Sequence, residues 1–426
     1  MLFDYFSEHD FVVEKTRFRF ADATYEGKGF LHWTPKEGWR LDLLVERHGP
    51  SVKKYEIPAL RIVTSSSYIS LPMQLQGGFR AVAPNVVLDD YLGLGIIDQN
   101  RLSLQLDSVV LIMRHDEDRE MKAAGTALLA VNRMPTFEGK LEKEERIDGV
   151  RISESQSVYG FRHDSPEISL VGASDSASGE ALRIGWYMKS GEAHLQDAWS
   201  FADAITDSLA VLSGESVRLL AREVFGHGVH RVELRRQFKV FRLDLLSLFP
   251  SDRLPTDAIM RLTGFFHKKG HHPDLCRRIF AQMVEASQQN TNAARELLCA
   301  TVLEAVIRRL YGIPFKKKLS HKDYLKRLMR DYFSPSWEEP CQRILSAFNN
   351  LRQRNAHPDW LATSQGSESP EMLCAATDDM ILLSRFYGYV ILALAGFRHL
   401  QPRFPEPCAN WGPIVTDEPD ESANEV

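Results

Sequence analysis

Two hydrophobic periods divide the chain. Up to about residue 190, apolar positions alternate with polar ones. In Trp39-Arg40-Leu41-Asp42-Leu43-Leu44-Val45-Glu46 the residues Trp39, Leu41, Leu43 and Val45 share one face, which predicts a strand with one buried side. Gly29-Phe30-Leu31-His32-Trp33 precedes it, and Thr34-Pro35-Lys36-Glu37-Gly38 supplies a hairpin turn between the two. The alternation returns at Arg101-Leu102-Ser103-Leu104-Gln105-Leu106 and continues through Val109-Val110-Leu111-Ile112-Met113. Further strands are expected at 55–63, 67–75, 125–132, 151–160 and 181–187, with a short helix near 87–93. The charge run 114–120 and the small, polar run 172–179 read as loops. Many short strands without a sustained helical period predict an antiparallel, sandwich-like or barrel-like sheet over residues 1–190.

An αββ connector is expected over 191–250. It comprises a helix at 195–212 closed by Ser213-Gly214, then β-like runs at 217–225 and 229–241 joined by Gly226-His227-Gly228. From Pro255 the period lengthens to about 3.6 residues. Helices are expected at 257–268, 274–286, 292–311, 321–333 and 338–354, and from Pro370 onward. In the 292–311 helix Leu297, Leu298, Val302, Ala305, Val306 and Leu310 are expected to face inward. Residues 255–400 therefore predict an all-α bundle, and the chain as a whole an α+β protein with β first. The Pro-rich, then acidic segment 401–426 has the composition of a disordered tail.

Charge alters this picture locally. The net charge is −5. Between Arg261 and Asp331, however, there are 15 Lys and Arg against 6 Asp and Glu, an excess of nine positive charges. A basic segment in an acidic protein fits a polyanionic partner, or a solvated helix face. The five cysteines are dispersed and none forms a CxxC pair, which points to reduced thiols and not to a zinc site or a disulfide framework. No apolar run approaches the roughly 18–20 residues of a membrane span, and the N-terminus lacks the basic and apolar regions of a secretory signal. The expected setting is cytoplasmic, without a membrane.

The densest chemistry is in Asn349-Asn350-Leu351-Arg352-Gln353-Arg354-Asn355-Ala356-His357-Pro358. Two guanidiniums that match phosphate geometry stand beside an imidazole suited to proton transfer near neutrality. His357 precedes proline and is pushed out of the α region, so an elbow is expected after Arg354. On a straight helix Arg352 and His357 would lie about 140° apart. At a break, both arginines could reach one phosphate beside the imidazole.

Arg352-Gln353-Arg354-Asn355-Ala356-His357, between long bundle helices, resembles the Arg-x4–6-His signature of HEPN-domain ribonucleases. Leu303-Glu304-Ala305 in an earlier helix, and more loosely the β-rich front half and Val211-Leu212-Ser213-Gly214-Glu215-Ser216-Val217, are similar to Apea-like HEPN proteins of anti-phage defence. The resemblance implies a metal-independent endoribonuclease of a toxin or abortive-infection type, acting as a homodimer or higher homo-oligomer without cofactor. His357 would be general base or acid. Arg352 with Arg354 would stabilise the phosphorane-like transition state, and Asn355 would orient the imidazole or the phosphate. The products would be a 2′,3′-cyclic phosphate and a 5′-hydroxyl. Arg352 has the family spacing and Arg354 the better helical geometry relative to His357, so either could be the principal arginine. The β-rich domain would sense a phage-derived or regulatory trigger. The other reading is an inactive HEPN dimerisation module carrying a ligand- or protein-binding β domain.

The remaining motifs rank lower. Lys316-Lys317-Lys318 and Lys268-Lys269 read as RNA-backbone contacts or as solvated charge. Glu304 and Gln353 are possible supports for the arginines. His267 to His272 lack a carboxylate or thiol in register for a metal. Gly93-Leu94-Gly95 lacks the third glycine of a nucleotide loop.

Overall fold

A computed structural model of the chain describes residues 5–20, 23–48, 67–88, 101–114, 123–131, 160–164, 168–175, 181–189, 195–226, 228–236, 254, 256–289, 291–333, 337–356 and 370–397. The fold is α+β, with strands in the N-terminal part and helices in the C-terminal part. Two compact units divide the chain. One comprises Met1–Ala130, Asp164–Ala202 and Arg218–Lys239, the other Val131–His163, Asp203–Val217 and Val240–Val426.

The strands are β1 (His9–Phe20), β2 (Ala23–Thr34), β3 (Gly38–His48), β4 (Ser67–Leu75), β5 (Arg80–Leu88), β6 (Arg101–Leu106), β7 (Ser108–Arg114), β8 (Ala124–Ala130), β9 (Gly160–Asp164), β10 (Ile168–Asp175), β11 (Ala181–Met188), β12 (Arg218–Gly226) and β13 (Val229–Arg235). They join in one sheet of order β6-β3-β2-β1-β4-β5-β7-β13-β12-β8-β11-β10-β9. Trp39, Leu41, Leu43 and Val45 are all buried, as their alternation predicts. The hairpin closes at Gly38, whose φ of 82° suits glycine.

The sheet folds over on itself. Trp39 of β3 donates its indole N–H to the Leu234 carbonyl of β13 at 2.9 Å, although five strands separate β3 and β13 in the sheet order. Trp33 packs on Trp39 with ring centroids 5.1 Å apart. Burying two indoles against each other stabilises the sheet by about 1.5–3 kcal/mol or more for each ring.

Three sequence expectations are corrected here. Residues 87 and 88 continue strand β5 instead of opening a helix, with Val87 paired to Tyr68 and Leu88 to Ser67. Gly172 to Asp175, expected in a loop, extend β10 and pair with β11. The strands expected in the αββ connector enter the main sheet, β13 beside β7 and β12 beside β8. They follow α1 (Leu195–Ser213) and carry a buried polar cluster. The Arg222 guanidinium donates to Glu233 at 2.6 Å and to the Trp199 carbonyl at 3.1 Å, and lies 4.0 Å over the Trp199 ring. The strand expected at 55–63, most of the one at 151–160, Gly93-Leu94-Gly95 and the tail 401–426 lie outside the described residues.

The bundle helices are α2 (Thr256–His267), α3 (His271–Gln288), α4 (Asn292–Leu310), α5 (His321–Tyr332), α6 (Glu338–Ala356) and α7 (Pro370–Leu394). Thr291 caps α4, its hydroxyl accepting from the Ala294 N–H. Helix α4 touches α3, α5, α6 and α7, so any polar group on it is shared with neighbours. Its buried face is rotated from the expected one. Leu297 is exposed, while Glu296, Cys299, Leu303, Ile307 and Arg308 are buried with Val302 and Val306. Glu296 pairs with Arg354 of α6 and Arg308 with Glu304 one turn before it, which lets both occupy positions that hydrophobic pattern alone assigns to solvent. Inside, the Tyr387 hydroxyl of α7 donates to the Cys299 carbonyl at 2.7 Å. Cys276, Cys299 and Cys341 are buried free thiols and Cys374 is an exposed one. Burial pushes the Cys276 thiol up to about 12 and Cys299 to about 11.

Candidate active site on helices α4, α5 and α6

Helix α6 runs through Ala356, two residues past its expected end. Arg352 and Arg354 thus both sit on regular helix, about 200° apart around its axis. They do not meet at one place. Arg354 Nε lies 3.8 Å from the buried carboxylate of Glu296 on α4. Arg352 Nη1 lies 3.4 Å from His321 Nε2 at the start of α5. The convergence of both guanidiniums is therefore corrected: the continuing helix separates them, and each is drawn to a different partner. Asn350, one turn before Arg354, donates to Asp379 of α7 at 3.1 Å.

Around Arg352 three helices build a polar cluster. Glu304 and Arg308, four apart on α4, form a fork: Arg308 Nε and Nη2 each reach Glu304 Oε1 at 2.8 Å. The other oxygen, Oε2, lies 3.6 Å from His321 Nε2. Phe348, fully buried on α6, is the floor of the cluster. The His321 ring lies 4.6 Å from its centroid, and the Arg352 guanidinium 5.9 Å over it. Phe348 and Arg352 are one turn apart, which places both on the same side of α6.

The electrostatics follow from this crowding. Burial would raise the Glu304 carboxyl, but the hydrogen bond and charge of Arg308, with His321 and Arg352 beyond, hold it below the usual range. His321 is held below its ordinary value by burial first and by the Arg352 guanidinium second, against the pull of Glu304. A neutral imidazole is the form that can accept from Arg352, through Nε2 with the proton on Nδ1. A charged imidazolium would be repelled by Arg352 and drawn to Glu304.

Arg308 also shapes the connection from α4 to α5. Its Nη1 donates to the Pro314 carbonyl at 2.8 Å and the Lys317 carbonyl at 3.1 Å. Gly312, with φ 61°, lets the chain turn off α4. Lys316, Lys317 and Lys318 are all exposed on this connection. Lys268 and Lys269, also exposed, occupy a different connection, between α2 and α3. Gln353 is exposed, and Asn355 lies on the α6 backbone one residue before its end. His357 and Pro358 lie outside the described residues. Among those described, no group of three or more His, Cys, Asp or Glu could hold a metal ion, and no helix is long and apolar enough to cross a membrane.

His321, Arg308 and Phe348 were not singled out from sequence as site residues. The Glu304–Arg308 pair was findable from its spacing of four. His321 was not, because it is 31 positions from Arg352 and its neighbours read only as a helix start. Comparison with protein-family models, curated proteins and solved structures gives no match.

Proposed function

We propose that the chain is a metal-independent endoribonuclease of a prokaryotic anti-phage or toxin type, with its chemistry at the end of α6. The observation that carries this reading is the Arg352-x4-His357 spacing at the C-terminal end of a long bundle helix, where Arg352 is exposed and beside the Glu304–His321 pair. The chemistry matches the residues. The substrate's 2′-hydroxyl attacks the adjacent phosphorus, which restricts cleavage to RNA. His357 takes or returns the proton. Arg352 faces the charge that builds on the non-bridging oxygens. Glu304 and Arg308 support Arg352 through His321, whose neutral ring accepts from the Arg352 guanidinium and holds it in place.

In this reading two copies of the chain face each other across a two-fold axis, each supplying an Arg–His pair. The β-rich unit controls the nuclease by binding a trigger. The test is incubation of the full-length protein with total cellular RNA in EDTA, beside a His357→Ala variant. Loss of cleavage in the variant supports the assignment. Cleavage that is unchanged sinks it.

One observation favours the second reading, a non-cleaving dimerisation module. Arg354 is paired with the buried Glu296, a contact that serves packing as well as it would serve catalysis.

A further inference from the structure

The connection between α4 and α5 holds an aromatic ring out in solvent. Phe315 is 89% exposed, the most exposed large apolar side chain among the described residues. A lone exposed apolar residue is ordinary, but this one is held out by a braced loop. Ile313 and Leu319, on either side, are buried and anchor it. The Ile313 N–H donates to the Arg308 carbonyl at 2.8 Å, and the Lys317 N–H to the Pro314 carbonyl at 3.0 Å. From below, the Arg308 guanidinium ties the carbonyls of Pro314 and Lys317 and lies 5.5 Å from the Phe315 ring. Three exposed lysines follow directly.

We propose that this loop is a binding site for single-stranded RNA, in which Phe315 stacks on an unpaired base and Lys316, Lys317 and Lys318 contact the flanking phosphates. The choice of RNA rests on the nuclease reading of α6. An aromatic face with adjacent cations is the chemistry that holds single strands without reading sequence. In a duplex the base faces are already stacked, so Phe315 has nothing to cover. The loop is also wired to the candidate active site. Arg308, which braces it, shares Glu304 with His321, and His321 contacts Arg352. A strand held by Phe315 would thus be held by the same cluster that positions Arg352. An anionic membrane would be drawn to the same lysines. It would need more apolar surface than one ring, and Ile313 and Leu319 are buried and unable to supply it.

The test is a fluorescence-anisotropy titration of full-length protein with a labelled, unstructured oligoribonucleotide and with its duplex, in EDTA. Every protein carries His357→Ala so that no strand is cut. Phe315→Ala should weaken single-strand binding roughly tenfold, the size of one lost base stack, and leave duplex binding and the salt dependence unchanged. The Lys316→Ala, Lys317→Ala, Lys318→Ala triple variant should lower the salt slope by about two, near the value for three phosphates on a single strand. The inference is overturned by any of three results: no single-strand binding by the parent protein, equal binding with and without Phe315, or a Phe315→Trp variant whose emission responds to anionic vesicles and not to RNA. Binding that follows Phe315 in a protein whose parent never cleaves RNA would keep this inference and remove the nuclease reading. Cleavage without the Phe315 effect would do the reverse.

Discussion

Arg352 Nη1 of helix α6 lies 3.4 Å from His321 Nε2 at the start of α5, across 31 positions of sequence. The contact makes each residue a reporter on the other. Arg352 lowers the His321 proton affinity and Glu304 raises it. Arg352→Met should therefore raise the His321 pKa, and Glu304→Gln should lower it further, as read by NMR titration of the imidazole. Shifts of the opposite sign, or none, would mean that the cluster does not form in solution.

The same depression couples to stability with a definite sign. A histidine whose folded pKa lies below its unfolded value of about 6.5 adds nothing above that pH. As pH falls below 6.5 the unfolded chain takes up a proton that the folded chain resists, so stability falls. His272, lowered chiefly by burial, contributes in the same direction. His321→Asn should flatten the fall in stability on the acid side of the profile relative to its own neutral value, and denaturant unfolding at stepped pH measures this. A slope identical to the parent's would place His321 in an ordinary solvated environment.

Arg308 ties the α4–α5 connection through two carbonyls while pairing with Glu304. Arg308→Met should cost roughly 2 kcal/mol, the size of lost charge-assisted hydrogen bonds. It should also expose the chain after Lys316, Lys317 and Lys318 to faster trypsin cleavage. Unchanged proteolysis would mean that the loop is ordered by Ile313 and Leu319 alone.

In the sheet, Trp39 fills the fold and ties β3 to β13 through the Leu234 carbonyl. Trp39→Phe keeps most of the buried surface but leaves that carbonyl without its donor, at a cost of about 1–2 kcal/mol. Trp39→Ala adds a cavity and should cost roughly 3–5 kcal/mol. Equal effects of the two variants would show that the hydrogen bond, and not the ring, holds the strands together.

These relationships differ in how far sequence reveals them. The buried face of β3 was legible because a period of two and a five-residue turn are local signals. The place of β13 beside β7 was not, since Val229–Arg235 pairs with Ser108–Arg114 across more than a hundred residues and nothing in either segment names the other. The bundle helices were legible to within a few residues of their ends. The buried face of α4 was misread, because Glu296 and Arg308 are buried through ion pairs whose partners lie on another helix or one turn away. The candidate site divides the same way. Arg352 stands out in a polar run, whereas His321 acquires meaning only once α5 is packed against α6.

If Arg352 and His357 cleave RNA as proposed, the chemistry is written in the ends of the products. Full-length protein is incubated in EDTA with an end-labelled oligoribonucleotide, and with the same sequence made as DNA. The expected result is cleavage of the RNA alone, products ending in a 2′,3′-cyclic phosphate and a 5′-hydroxyl, and loss of cleavage in both Arg352→Ala and His357→Ala. Cleavage of the DNA, a requirement for a divalent metal, or full activity in His357→Ala would contradict it.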